Sequence, residues 1–142
     1  MAALKQKGDL AEVIVAADLI RRGYRVAIPF GEDCDYDLVV ERDGCLERVQ
    51  VKHATSDGKV VAVRCYSVSV TGGKVVARKS YTDTTIDWLA VYDSTTRRCF
   101  YVPATELGEG RRCVHLRLVP PSYNRRKDVR FAADYEGLMA RA

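Results

Sequence analysis

The stretch Tyr36-Asp37-Leu38-Val39-Val40-Glu41-Arg42-Asp43-Gly44-Cys45, continued by Leu46 to His53, decides how this chain is read. Asp43-Gly44 between two runs of period-2 alternation predicts a hairpin closed by a two-residue type I′ turn. That turn sets the register: with Arg42 facing Cys45, Asp37 falls opposite Gln50. Opposite residues share a face with Cβ atoms about 5 Å apart, and Lys52 follows on the same face two residues along. A carboxylate, an amide carbonyl and an ammonium then converge on one patch of sheet. A patch of this composition can hold a divalent cation and an attacking water against a phosphodiester.

Working outward, Asp9 to Arg22 reads as a helix, with Asp9 as N-cap, Glu12 three residues later and Gly23 at the left-handed C′ position. Glu12 shares a side with Val15, Ala16 and Leu19, the stripe that faces the core. Two roles suit a carboxylate placed there. Glu12 can reach back to the Asp9 N–H as a capping box, or it can point across the sheet at the Asp37/Gln50 patch; the two are not exclusive. Tyr24 to Phe30 reads as an edge or terminal strand because of Pro29, and Gly31 to Asp35 as an acidic loop feeding the hairpin. Thr71-Gly72-Gly73 joins Val60–Val70 to Lys74–Arg78 in a second hairpin. Ile86 to Tyr92 is apolar enough for a strand covered on both faces. Cys99–Val102 and Val114–Val119 are further strands, and Phe131–Ala140, beyond Pro120-Pro121, is a short helix.

These elements predict an α/β protein: a single domain over residues 1–142 with a mixed β-sheet flanked by helices. The core occupies about 8–103, and a basic C-terminal extension about 111–142. A chain of 142 residues with 47% hydrophobic content fills one core. Glu12, Asp18 and Arg21-Arg22 make the N-terminal apolar segment unlike a signal peptide, and no apolar run is long enough to span a membrane. Five cysteines without ligand spacing suggest free thiols in a reducing, intracellular and cytoplasmic setting, and argue against zinc. One disulfide would fit a hyperthermophilic source. Charge is asymmetric. Residues 1–60 carry nine Lys/Arg against eleven Asp/Glu, whereas residues 61–142 carry fourteen against eight. Positive surface in the second part suits a polyanion.

The ordered set resembles the PD-(D/E)XK nuclease superfamily, with its inward Glu (Glu12), its strand Asp (Asp37) and Gln50-Val51-Lys52 on the hairpin partner. More narrowly it resembles the branch related to intron-encoded homing endonucleases. Lys7-Gly8-Asp9-Leu10-Ala11-Glu12, Gly23-Tyr24-Arg25-Val26 and Pro29-Phe30-Gly31-Glu32 carry that likeness, with Tyr36-Asp37-Leu38-Val39 and Val49-Gln50-Val51-Lys52. It runs on through Ile86-Asp87, Ala90-Val91-Tyr92, Phe100-Tyr101-Val102-Pro103 and Leu116-Arg117-Leu118. Tyr36 stands where the superfamily has proline, and Gln50 where it has an acid. The neutral amide leaves the site one charge less negative, so Asp33 or Asp35 could contribute instead.

The resemblance implies a restriction-endonuclease-like core and a Mg²⁺- or Mn²⁺-dependent endonuclease acting on double-stranded DNA. Asp37, the Gln50 amide oxygen and the Val51 backbone carbonyl would hold the metal, with Glu12 in its outer shell and Lys52 beside the attacking water. Arg64, Arg78, Lys79, Asn124, Arg125, Arg126 and Lys127 are the candidate DNA contacts. One metal site per chain and two strands to cut imply a homodimer or higher homo-oligomer. Two alternatives remain: a structure-selective nuclease of the Holliday-junction-resolvase type, and a non-catalytic DNA-binding module on the nuclease fold, to which Gln50 lends weight.

Overall fold

The computed structural model describes residues 2–31, 33–122 and 129–140. A helix, α1 (Ala2–Arg21), is followed by ten strands: β1 (Arg25–Ala27), β2 (Leu38–Arg42), β3 (Cys45–Ala54), β4 (Val60–Arg64), β5 (Tyr66–Thr71), β6 (Lys74–Ser80), β7 (Trp88–Asp93), β8 (Arg98–Pro103), β9 (Cys113–Arg117) and β10 (Arg130–Phe131). Five strands form a mixed sheet in the order β1-β2-β3-β7-β8, where only β3 and β7 run parallel. β4, β9 and β10 make a second sheet, and among the described residues β5 pairs with β6 alone. The fold is the mixed α/β architecture expected, but its second layer is β rather than helical.

The period-2 pattern sorts the two cores. Leu38, Val40, Val49, Val51, Trp88 and Ala90 face α1 and meet Ala11, Val15 and Leu19. On the opposite face Leu89, Val91, Phe100 and Val102 pack with Val61, Val63, Val114 and Leu116 of the second sheet. β7, covered on both faces, is buried at every position. β9 pairs with β4, so residues 113–117 are knit into the core. All five cysteines are free.

Three local expectations are corrected. α1 begins at Ala2, so Asp9 is an exposed residue within the helix and not its N-cap. The good helix formers Ala3, Leu4, Lys5 and Gln6 outweigh the roughly 1 kcal/mol cost of Gly8. The capping-box role of Glu12 disappears with that cap. Second, β4 and β5 are separate strands. The chain turns at buried Cys65, whose N–H bonds the Arg112 carbonyl at 2.9 Å. Third, the C-terminal helix is only a 3₁₀ turn at Ala132–Tyr135, held where the Tyr135 hydroxyl donates to Glu106 at 2.6 Å. The far end of α1 is as read: Gly23 takes φ +95°, with Gly23 N–H bonding Ile20 O and Tyr24 N–H bonding Leu19 O, a Schellman closure.

Candidate active site

The hairpin turn has φ of 53° at Asp43 and 76° at Gly44, and Arg42 faces Cys45 in the predicted register. That register holds to Leu38 opposite Val49 and then stops. Asp37 lies just beyond β2 and does not continue the ladder opposite Gln50, which corrects the sequence-based placement. Its N–H bonds Val49 O at 2.9 Å, while its carboxylate accepts the Val51 N–H at 2.9 Å. The side chain thus takes a backbone position in the ladder at the point where β2 peels away. The Val51 carbonyl beside it accepts the Gln50 side-chain amide at 3.3 Å. β3 continues to Ala54, five residues past its last pair with β2, supported by β7 on its other edge.

Glu12 approaches the same point from α1. It hydrogen-bonds the Asp37 carboxyl, and the two line a cleft of about 310 Å³ with Asp9, Ile28, Pro29, Cys34 and Tyr36. Burial, then that hydrogen bond and the charges of Asp37 and Asp9, push Glu12 up to about 7. Two carboxyl groups this close hold a proton between them, and a cation can take the proton's place. Among the described residues no three His, Cys, Asp or Glu side chains gather as a ligand set. The oxygens on offer are two carboxylates, one amide and one backbone carbonyl, all hard donors, so the set fits Mg²⁺ or Mn²⁺ keeping several waters. Asp35 is committed elsewhere, to Lys79 at 2.7 Å, and Asp33 is exposed.

The Glu12 shift gives stability a pH dependence. The folded protein keeps this proton to about 7, whereas the ordinary carboxyl releases it near 4.5. Between those values the folded state binds more protons, so stability falls as pH rises across the window. In EDTA, Glu12→Gln should flatten that fall and raise the melting temperature at mildly alkaline pH; identical pH profiles for the two proteins would refute the shared proton.

Lys52 lies half-buried on the face of β3 opposite α1, its Nζ 5.0 Å from the Tyr81 ring centroid. Burial and then the charge of Arg64 pull its ammonium down to about 8, with Asp37 opposing. Sequence reading missed Tyr81, for which the chain offers no signal: Tyr81 arrives from a loop after β6. Arg64, at the end of β4, and Arg78, on β6, are exposed and both lie against the Tyr66 ring, at 5.2 and 5.4 Å from its centroid. Lys79 is tied to Asp35. Asn124, Arg125, Arg126 and Lys127 lie outside the described residues.

A sequence-family profile for PD-(D/E)XK endonucleases matches residues 2–138, and the chain belongs to that family. Among solved structures it is similar to that of a bacterial homing endonuclease, I-Ssp6803I, with a TM-score of 0.71 and 22% identity. That alignment covers 92% of this chain and 86% of the other. A comparison with curated protein sequences returned no match.

Proposed function

We propose that the protein is a metal-dependent endonuclease that hydrolyses phosphodiester bonds in duplex DNA, in the manner of homing endonucleases and inside the cell. The observation that carries this reading is the Glu12–Asp37 pair at the end of β2, beside the Gln50 amide, the Val51 carbonyl and Lys52 on β3. Asp37, Gln50 and Val51 would hold Mg²⁺ or Mn²⁺, with Glu12 reached through water. Bound there, the ion would neutralise non-bridging phosphate oxygens and acidify a nearby water. Asp37 is fixed for this task by the Val51 N–H. Lys52 supplies positive charge to the pentacovalent transition state and orients the water. The cut leaves 5′-phosphate and 3′-hydroxyl ends.

Incubating the protein with linear duplex and with a four-way junction, each with Mg²⁺, Mn²⁺ or EDTA, tests the proposal. Cutting of duplex that EDTA stops is the expected result, and preference for the junction would move it to the resolvase type. The neutral Gln50, and the finding that among the described residues no three His, Cys, Asp or Glu side chains gather as a ligand set, favour one second reading, a DNA-binding module without catalysis. Binding with no cleavage under any condition would establish that instead.

Duplex affinity should fall with salt at a slope of about −0.9 per neutralised phosphate, and Arg64→Ala and Arg78→Ala should each reduce the slope by about one. Filter binding across a salt series reads this directly. A homodimer is part of the proposal. α1 also exposes Leu4, Leu10, Val13 and Ile20 on its outer side, apolar surface that a second copy of the chain would cover. Sedimentation should give a dimer; a stable monomer alone and on DNA would refute it.

A further inference from the structure

β5 and β6 form a ribbon that belongs to neither sheet. It is closed by Gly72-Gly73 at φ 60° and 78°, the type I′ turn that matches strand twist. Every residue of β6 is exposed, as are Ser69 to Thr71 of β5. An isolated two-stranded hairpin is marginal in water, and a bare ribbon of this length is costly unless something lies against it. No Asp or Glu occurs between Gly58 and Thr82, a stretch that carries Lys59, Arg64, Lys74, Arg78 and Lys79. That charge calls for a polyanion rather than for an equally basic second copy of the same ribbon.

The two faces differ. Tyr66, Val68 and Val70 alternate on one, with Arg78 above Tyr66. Ser67, Ser69 and Thr71 alternate on the other, opposite Lys79, Ala77 and Lys74 respectively. This second face holds short hydroxyls, which can donate to or accept from base edges, and ammonium groups, which donate. It is also continuous with the candidate active site. The Ser67 side chain hydrogen-bonds Tyr81, over which Lys52 lies, and Lys79 pairs with Asp35 two residues before Asp37.

We infer that the ribbon enters the major groove of duplex DNA with its exposed Ser69–Thr71–Lys74 face against the bases, and so reads sequence at a fixed distance from the scissile phosphate. The inference rests on the duplex-DNA reading above. Paired strands about 4.8 Å apart fit a groove about 12 Å wide, and the bulge between Ser69 and Val70 adds the twist that following the groove requires. The six residues of β5 span about 20 Å at ~3.4 Å each, or about six base-pair rises. Sequence preference should therefore form a block within about six base pairs of the cut.

The test selects bound duplexes from a library randomised over about two helical turns, in EDTA, with cleavage mapped separately in Mg²⁺. The wild type is compared with Ser69→Ala/Thr71→Ala/Lys74→Ala, whose melting temperature reports folding. Wild type should show a preferred block with about tenfold discrimination per base pair at its strongest positions. The triple variant should lose it, and N7-methylation of guanines inside the block should interfere with wild-type binding. An unchanged block in the variant overturns the inference, as does a wild type with no preference. So does a variant that changes oligomeric state but not sequence preference, which would make the ribbon an assembly arm. If wild type selects a block but never cuts, the nuclease reading fails while the fate of the block in the variant still decides the ribbon.

Discussion

Lys52→Ala is expected to slow phosphodiester cleavage by two to three orders of magnitude or more, about the loss seen when one charge-stabilising donor is removed from a preorganised site. The fold should survive. Lys52 is held among groups that disfavour its charge, with burial and then Arg64 drawing the ammonium down to about 8. Truncation therefore removes a desolvation cost together with the cation–π contact to Tyr81, worth about 0.5–2 kcal/mol. The two offset. In the free enzyme, activity that depends on the ammonium should decline as pH rises through about 8, because the charged form is lost there. Lys52→Arg, charged at every accessible pH, should lack that alkaline limb even where its rate is lower. Single-turnover cleavage across pH measures both. A Lys52→Ala protein that cuts at the wild-type rate would remove Lys52 from the chemistry.

The largest stability effect is expected at the other end of the same hairpin. Arg42→Ala should destabilise the protein by about 3–5 kcal/mol, because it strands a buried carboxylate. Glu47 is 8% exposed on the α1 side of β3, and Arg42 donates to it at 2.8 Å while Trp88 Nε1 donates at 2.9 Å. Arg42 also reaches the Met139 carbonyl at 2.5 Å and lies 5.5 Å from the Trp88 ring centroid. Replacing both partners, as Arg42→Met/Glu47→Leu, should cost far less. The indole N–H then loses its acceptor, a penalty of about 1–3 kcal/mol. Urea denaturation of the two variants separates the effects; similar midpoints would mean that Glu47 is compensated by other groups.

The hairpin register, the inward side of Glu12 and the buried β7 were legible because each rests on a strong local signal: an Asp43-Gly44 turn, a 100° helical step, an unbroken apolar run. The start of α1 was not. Asp9 has the chemistry of a cap, but a helix begins where the chain can first sustain hydrogen bonds, and Ala2 to Gln6 already can. In the Val60–Val70 run the apolar phase slips at Cys65, from odd positions (Val61, Val63, Cys65) to even ones (Tyr66, Val68, Val70); reading it as one strand passed over that local mark of two parts serving different sheets. Arg42 and Glu47 sit at inward positions, yet two charges in an alternating run read as a solvated face. Besides their own pairing, the Trp88 indole and the Met139 carbonyl, both remote in sequence, help make their burial tolerable. Tyr81 and Arg64 reach Lys52 through the path of the chain after β3, which no spacing encodes.

The length of β3 beyond β2 has a further meaning for handling the protein. Among the described residues no strand pairs with residues 50–54 on the side that β2 vacates, so the stretch is an open seam onto which an unfolded chain could add. Asp37 closes its first hydrogen-bond position, and the charge of Lys52 discourages close approach of another apolar strand. The groups that would cut DNA therefore also keep the seam from acting as a template for aggregates. An inert protein made by Asp37→Ala/Lys52→Ala should precipitate more readily on concentration than one made by Asp37→Asn alone, whose amide oxygen can still cap the Val51 N–H. For crystallising a DNA complex without cleavage, the asparagine variant is the better-behaved choice.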